Sequence, residues 1–149
     1  MKQIAGNILD VQYGIIGQQV NCKLIMGAGL AKQIREKYPI VFSEYKRVMS
    51  AADEPRRLGK CQIVEVASKK LYVANLFGQH NFLPRGIQHT DYTALGMALR
   101  SLAVWRDSTN KDLPIYLPYC IGCGLAGGNW NVVQGVITDA IPSAIIVRL

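Results

Sequence analysis

Hydrophobic and polar positions along this chain switch repeatedly between two periods. Short apolar or alternating runs at residues 1–5, 15–20, 61–67, 71–76, 113–117 and 144–147 predict strands. Between them, Leu30, Ile34 and Tyr38 recur at helical spacing, followed by Ile40, Val41, Tyr45, Val48 and Met49. Pro39 closes the first of these helices or opens the second. Leu95, Ala98, Leu99 and Leu102 form the buried stripe of a third helix, which Thr90 would cap and Asp91 would begin. Val132, Val133, Val136, Ile137 and Ile141 mark a fourth. The stretches 7–10 and 68–70 read as turns, and polar residues 51–60 read as a surface loop. Residues 77–86 read as an irregular polar and aromatic loop suited to a site. Strands alternating with helices predict a three-layer α/β/α fold whose central sheet, about six strands, is mixed and largely parallel. Ligands in such sheets bind at the carboxyl ends of the strands.

Two glycine loops fall at strand-to-helix junctions. Gly27-Ala28-Gly29 precedes the first helix, and Gly122, Gly124, Gly127 and Gly128 crowd the run from Pro118 to Trp130. Glycine lets a ligand or another backbone come close, and free N–H groups at a helix start attract anions. Asn129 can cap the helix after the second loop. A loop that wraps a phosphate is one reading, and an ordinary tight turn, which needs fewer glycines, is the other.

At 149 residues the chain is long enough for one domain with a real core, and residues 1–149 are read as that domain. Half the residues are hydrophobic and 18% are charged, which excludes disorder. The net charge of +7 favours an anionic partner: nucleotide, nucleic acid or membrane surface. A solubilising excess spread over Lys32, Arg35, Lys37, Lys46, Arg47, Arg56, Arg57 and Lys60 is the competing reading. Scattered basic residues without interleaved aromatics argue against a nucleic-acid platform. Cys120 and Cys123 have metal-ligand spacing, but no second pair accompanies them and Cys22 and Cys61 stand alone. Reduced cytosolic thiols, no metal and no cofactor are therefore expected. No signal-like start is evident, and no apolar run approaches the roughly 20 residues of a membrane span.

Four segments in order, Gly6-Asn7-Ile8, Gln19-Val20-Asn21-Cys22, Met26-Gly27-Ala28-Gly29-Leu30-Ala31 and Ile121-Gly122-Cys123-Gly124-Leu125 with Trp130, resemble the macro domain, an ADP-ribose-binding α/β module. Within that family the resemblance is to the branch of ADP-ribose-1''-phosphate phosphatases, terminal ADP-ribose hydrolases and DNA ADP-ribosyl glycohydrolase antitoxins. It implies a cytoplasmic monomer that binds ADP-ribose or its 1''-phosphate, free or on an ADP-ribosylated macromolecule. Asn7, with Ile8, would read adenine where the family usually has Asp, and Asn21 would bond the distal ribose. Gly27, Ala28 and Gly29 would form one phosphate loop, with Gly122, Cys123, Gly124, Leu125 and Ala126 forming the other. The chain departs from the branch at two points. Gln79, expected in the ligand site, stands near the position of the DNA-directed enzymes' lysine, and Ala126 stands where the terminal hydrolases have an aspartate. Glutamine has no titratable nitrogen, so lysine-based deglycosylation is not expected. Phosphomonoester hydrolysis needs only a positioned water and donors, with His80 as general base or acid and Asn21 beside it. The alternatives are a non-catalytic ADP-ribose reader, an ADP-ribosyl hydrolase lacking the usual lysine and a basic nucleic-acid-binding module, with His80 then a surface histidine without a role.

Overall fold

The computed structural model describes residues 1–149, and no helix is long and apolar enough to cross a membrane. The strands are β1 (Lys2–Ala5), β2 (Gly14–Asn21), β3 (Cys61–Ala67), β4 (Leu71–Gln79), β5 (Ile115–Pro118) and β6 (Ile145–Arg148). They make one sheet in the order β1-β6-β5-β2-β4-β3. Every pairing is parallel except the edge pair β3–β4, which is antiparallel. Five helices join them: α1 (Gly29–Lys37), α2 (Pro39–Met49), α3 (Glu54–Arg57), α4 (Tyr92–Thr109) and α5 (Trp130–Ala140). Ile34, Val41 and Tyr45 cover one face of the sheet. Leu95, Leu99, Leu102, Val133 and Ile137 cover the other. The three layers read from the periodicity are present, and the sheet is mixed and largely parallel.

Local differences from the expected elements have physical causes. Strand β4 continues through Phe77, Gly78 and Gln79 instead of ending at Leu76, because Gln79 pairs with Asn21 of β2 and Phe77 N–H donates to Lys60 O. The site loop therefore begins at His80. Asp91, not Thr90, caps α4: its carboxylate accepts from Ala94 N–H at 2.9 Å. The Thr90 hydroxyl donates instead to Gly122 O at 2.6 Å. Pro39 opens α2 at a position where the absent N–H costs nothing. The polar stretch 51–60 contains α3, and its Arg57 is no solvated charge. Its guanidinium donates to Cys22 O (2.7 Å), Met49 O (2.8 Å) and Ala52 O (3.0 Å), tying that stretch to the end of β2. Val132 is 41% exposed, since the core stripe of α5 runs through Val133 and Ile137.

A ladder of buried amides crosses the sheet. Gln18 Nε2 donates to Asn75 Oδ1 at 2.9 Å, Asn75 Nδ2 to Gln62 Oε1 at 3.0 Å, and Gln62 Nε2 to Glu44 O at 2.9 Å. The carbonyl at the far end can only accept, so it sets the direction of every amide before it. Asn75 is fully buried, and truncating it orphans a group on each side. Asn75→Ala is expected to cost roughly 2–5 kcal/mol, read from the urea midpoint at constant m-value. A loss below about 1 kcal/mol would mean water restores the ladder.

Cys61 packs against the α4 side of the core, and burial pushes its thiol from 9.0 up to about 12. Below pH 9 the thiol is neutral in both folded and unfolded chains. Between pH 9 and 12 the unfolded thiol ionises while the native one stays protonated, so stability falls as pH rises. Cys61→Ala should remove up to about 1.4 kcal/mol per pH unit of that alkaline slope. Parallel denaturation curves for wild type and variant across this window would contradict the assignment.

Candidate ligand cleft

Neighbouring strands β2 and β5 send the chain to opposite faces, β2 toward α1 and α2, β5 toward α5. The loops diverge and leave a crevice at the carboxyl ends of the strands. Three chambers run along it. The first, about 440 Å³, lies over β1, β6 and β5 and is lined by Gly6, Asn7, Ile8 and Arg148. The second, about 260 Å³, lies between the glycine loops, with Ala28, Gly29, Gly122 and Gly124 in its walls. The third, about 250 Å³, lies over β2 and β4 beside Asn21, Gln79, Phe82 and Arg85. Tyr119 and Gly29 are shared by the first two, and Gln19, Ala28 and Leu125 by the last two, so the chambers form one cleft. From β1 to β4 it crosses four interstrand gaps, about 19 Å.

The middle of the cleft is walled by backbone donors. Helix α1 starts after Ala28, which has no capping side chain, so its first-turn N–H groups are open. Helix α5 is closed by Asn129, which accepts from Asn131 N–H at 2.9 Å. The open helix end is thus at the first glycine loop and not at the second. In the second loop the N–H groups of Gly122, Gly124, Leu125 and Ala126 find no acceptor in the protein. The glycines have separate duties. Gly122 has φ +73°, and a β-carbon there would lie 2.9 Å from Gln19 Oε1. Gly127 has φ +71°, and its β-carbon would meet Ile87 O at 2.9 Å. Gly124 is outside the left-handed region and a β-carbon there would touch nothing, so its bareness keeps space open in the cleft.

The third chamber rests on an amide network that sequence reading missed. Gln19 Nε2 donates to Gln79 Oε1 and to Thr90 Oγ1, both at 2.9 Å. Gln79 Nε2 donates to Asn81 O at 2.8 Å, which fixes the orientation of the Gln79 amide. Gln19 Oε1 is left buried without a partner between Gly78 and Gly122. The detectable signal was the two flanking glycines, which only the fold brings together.

Each expected site residue has a definite place. Gly27, Ala28, Gly29, Gln79, Gly122, Gly124, Leu125 and Ala126 line the second or third chamber. Asn7 lines the first, with buried Ile8, and its Oδ1 already accepts from Leu9 N–H at 2.9 Å, so its NH₂ is what remains to offer. Asn21 is mostly spoken for. Its Oδ1 accepts from Lys23 N–H (3.0 Å) and Ile25 N–H (3.3 Å), while Nδ2 donates to Ile25 O (2.9 Å). One Nδ2 hydrogen is left for the third chamber. Cys123 turns its thiol inward toward Ile121 O and the core, and only its backbone belongs to the loop. His80 does not line the cleft. Side chains alternate at a strand end, so Gln79 facing Gln19 sends His80 to the other side, toward Glu54. The Glu54 carboxyl pKa is lowered chiefly by the hydrogen bond from Lys23 and in small part by His80. His89 braces the loop, its ring 2.6 Å from Pro84 O.

Electrostatically the second and third chambers are simple. Their walls contain no Asp, Glu, His or Lys, and Arg85 is their one charged side chain. All four cysteines are free, and burial pushes Cys22 and Cys123 up to about 11, leaving them poor nucleophiles at neutral pH. The arrangement can hold a phosphate-bearing ligand by backbone donors, and the one thiol in these walls is that of Cys120, in the second chamber.

An α/β domain with amide-lined loops at the sheet's carboxyl edge is thus defined. No protein-family model matches the chain. It is 27% identical to an uncharacterised 17.5 kDa protein of Enterobacteria phage T4, over 92% of this chain and 87% of that one. Among solved structures, a protein of unknown function from Bacteroides thetaiotaomicron is similar at 27% identity and TM-score 0.86, covering 99% of this chain and 97% of that one. A macrodomain protein from Streptomyces coelicolor is similar at 25% identity and TM-score 0.77, with 99% and 97% covered. Thermosipho africanus DarTG in complex with ADP-ribose shares the fold at 14% identity and TM-score 0.78, over 99% of this chain and 41% of that one. The chain has the fold of these macrodomain structures, as the resemblance implied.

The duties of the glycines predict a contrast. Gly122→Val should lower Tm, since a side chain at positive φ and against Gln19 costs about 1–3 kcal/mol. Gly124→Val should melt like wild type yet fail to bind a diphosphate ligand. Equal ligand affinity in a folded Gly124→Val protein would remove the second loop from the site.

Proposed function

We propose that the cleft binds ADP-ribose and, more finely, takes ADP-ribose-1''-phosphate and hydrolyses it to ADP-ribose and phosphate. The observation that carries the binding part is the set of unpaired N–H groups at Gly122, Gly124, Leu125 and Ala126, facing the open start of α1 across one chamber. Donors from both walls suit a diphosphate, because fixed amides cost no side-chain entropy. The adenosine end then lies by Asn7 and the distal ribose by Asn21. The ADP-ribose complex of Thermosipho africanus DarTG, a protein of the same fold, supports this ligand class.

Hydrolysis would proceed by positioning. Water held near the remaining Asn21 Nδ2–H would attack phosphorus as the P–O bond to the 1''-oxygen breaks. Its proton would pass to that departing oxygen to leave ADP-ribose and phosphate, and open amides would meet the developing charge. Without a general base on the walls the site forgoes the about 10²–10⁴-fold that proton transfer typically contributes. Slow turnover is therefore expected. The same absence of carboxylate, histidine and lysine side chains favours a second reading, a reader that binds ADP-ribose without turnover.

Calorimetry with ADP-ribose tests the common part: a dissociation constant below millimolar is expected, and no binding at millimolar ligand rejects it. Phosphate release from ADP-ribose-1''-phosphate divides the readings, a rate equal to buffer leaving the reader. His80→Ala should leave both affinity and release unchanged, with no inflection lost from the pH–rate profile. A drop of about 10²-fold in that variant would return His80 to the chemistry.

A further inference from the structure

We infer that the third chamber is built for an anionic group on the distal end of the ligand, and that Arg85 is the residue that reads it. The inference rests on the ADP-ribose reading and adds a specificity determinant to it. Arg85 is the only charged side chain on the walls of the second and third chambers, and it takes part in none of the protein's ion pairs or hydrogen bonds. An arginine left without a protein partner beside a cavity offers all five N–H donors to a ligand. Its neighbours Phe82, Leu83 and Leu125 are apolar, and Arg85 is exposed among them, so the guanidinium stands at the mouth of the chamber where an entering anion would meet it.

The loop holds this arginine by design of its anchors. Asn81 Oδ1 accepts from Phe82 N–H at 2.8 Å at one end. At the other, His89 N–H and Thr90 N–H both donate to Ala126 O, at 2.7 and 3.1 Å. The His89 ring closes on Pro84 O, and Ile87 packs where only glycine fits, at Gly127. Arg85 thus sits on a segment fastened to the second glycine loop. It lies past the diphosphate donors, on the Asn21 side of the cleft.

A distal hydroxyl would leave this charge unanswered, whereas a phosphate monoester at that position would accept a two-pronged bond from it. No carboxylate on the walls repels such a dianion. The chamber therefore discriminates for an acidic end group and against a neutral one.

The test compares ADP-ribose with the hydrolysis-resistant phosphonate analogue of ADP-ribose-1''-phosphate, by calorimetry, on wild type, Arg85→Gln and Arg85→Lys. Wild type should prefer the phosphonate. Arg85→Gln should lose about tenfold or more of that preference while keeping its ADP-ribose affinity, and Arg85→Lys should restore part of it. An unchanged preference in Arg85→Gln, or no preference in wild type, overturns the assignment. Equal loss of both ligands in Arg85→Gln also overturns it, since Arg85 would then serve the shared part of the ligand. Failure of wild type to bind ADP-ribose at all is a different result and rejects the binding reading itself.

Discussion

Two consecutive glutamines in β2, Gln18 buried and Gln19 half-buried, carry much of the architecture. Because side chains alternate along a strand, Gln18 and Gln19 point to opposite faces of the sheet. Gln18 starts the ladder through Asn75 and Gln62 to Glu44 O, which fastens β2, β4, β3 and α2 together. Gln19 bonds Gln79 and Thr90, and Thr90 in turn bonds Gly122 O, so a single amide joins β4, the entry to α4 and the second glycine loop. Each glutamine is left with one buried oxygen lacking a partner. Such atoms are costly in a core, and both belong to residues lining the middle chamber of the cleft. The polar seam is therefore what shapes the cleft floor, and the apolar layers on either side fill in around it.

That seam explains what was readable in the sequence. Periodicity reveals which residues face a core, so the six strands, the main helices and the two core faces were legible. The glycine loops were legible because glycine density at strand-to-helix junctions is local. Long-range amide contacts are not local: Gln19 is 60 residues from Gln79 and 71 from Thr90, and nothing around Gln19 signals either. The shift of the α4 cap from Thr90 to Asp91 has the same origin, since Thr90 is claimed by Gln19 and Gly122. His80 illustrates a different difficulty. Its residue type suits catalysis, but its direction depends on where β4 ends, and three more strand residues than periodicity indicated set its facing away from the cleft.

The basic composition also changes meaning once the fold is known. Of the 17 lysines and arginines, only Arg85 and Arg148 reach the chambers. Arg148 lies 4.1 Å over the Tyr119 ring, where it stiffens the wall between the first two chambers. Arg57 is consumed by three backbone carbonyls, and Arg47 by Glu44. The remaining charges act through the summed field, which draws anions toward the molecule without choosing among them. Selection would have to come from the cleft, whose second and third chambers combine neutral amides in their walls with the single arginine Arg85.

Those amides also bear on chemistry at position 79. Gln79 is held as acceptor from Gln19 and donor to Asn81 O, so both ends of its side chain are occupied. A lysine there could only donate. It would orphan Gln19 Nε2 toward β4 and place an ammonium beside a floor that already binds its own donors. Restoring a nucleophilic amine at this position therefore requires rebuilding Gln19 as well, and the two residues constrain each other as a pair. The glutamine is not a vacant catalytic position. It is a structural member of the cleft floor, bonded on both sides.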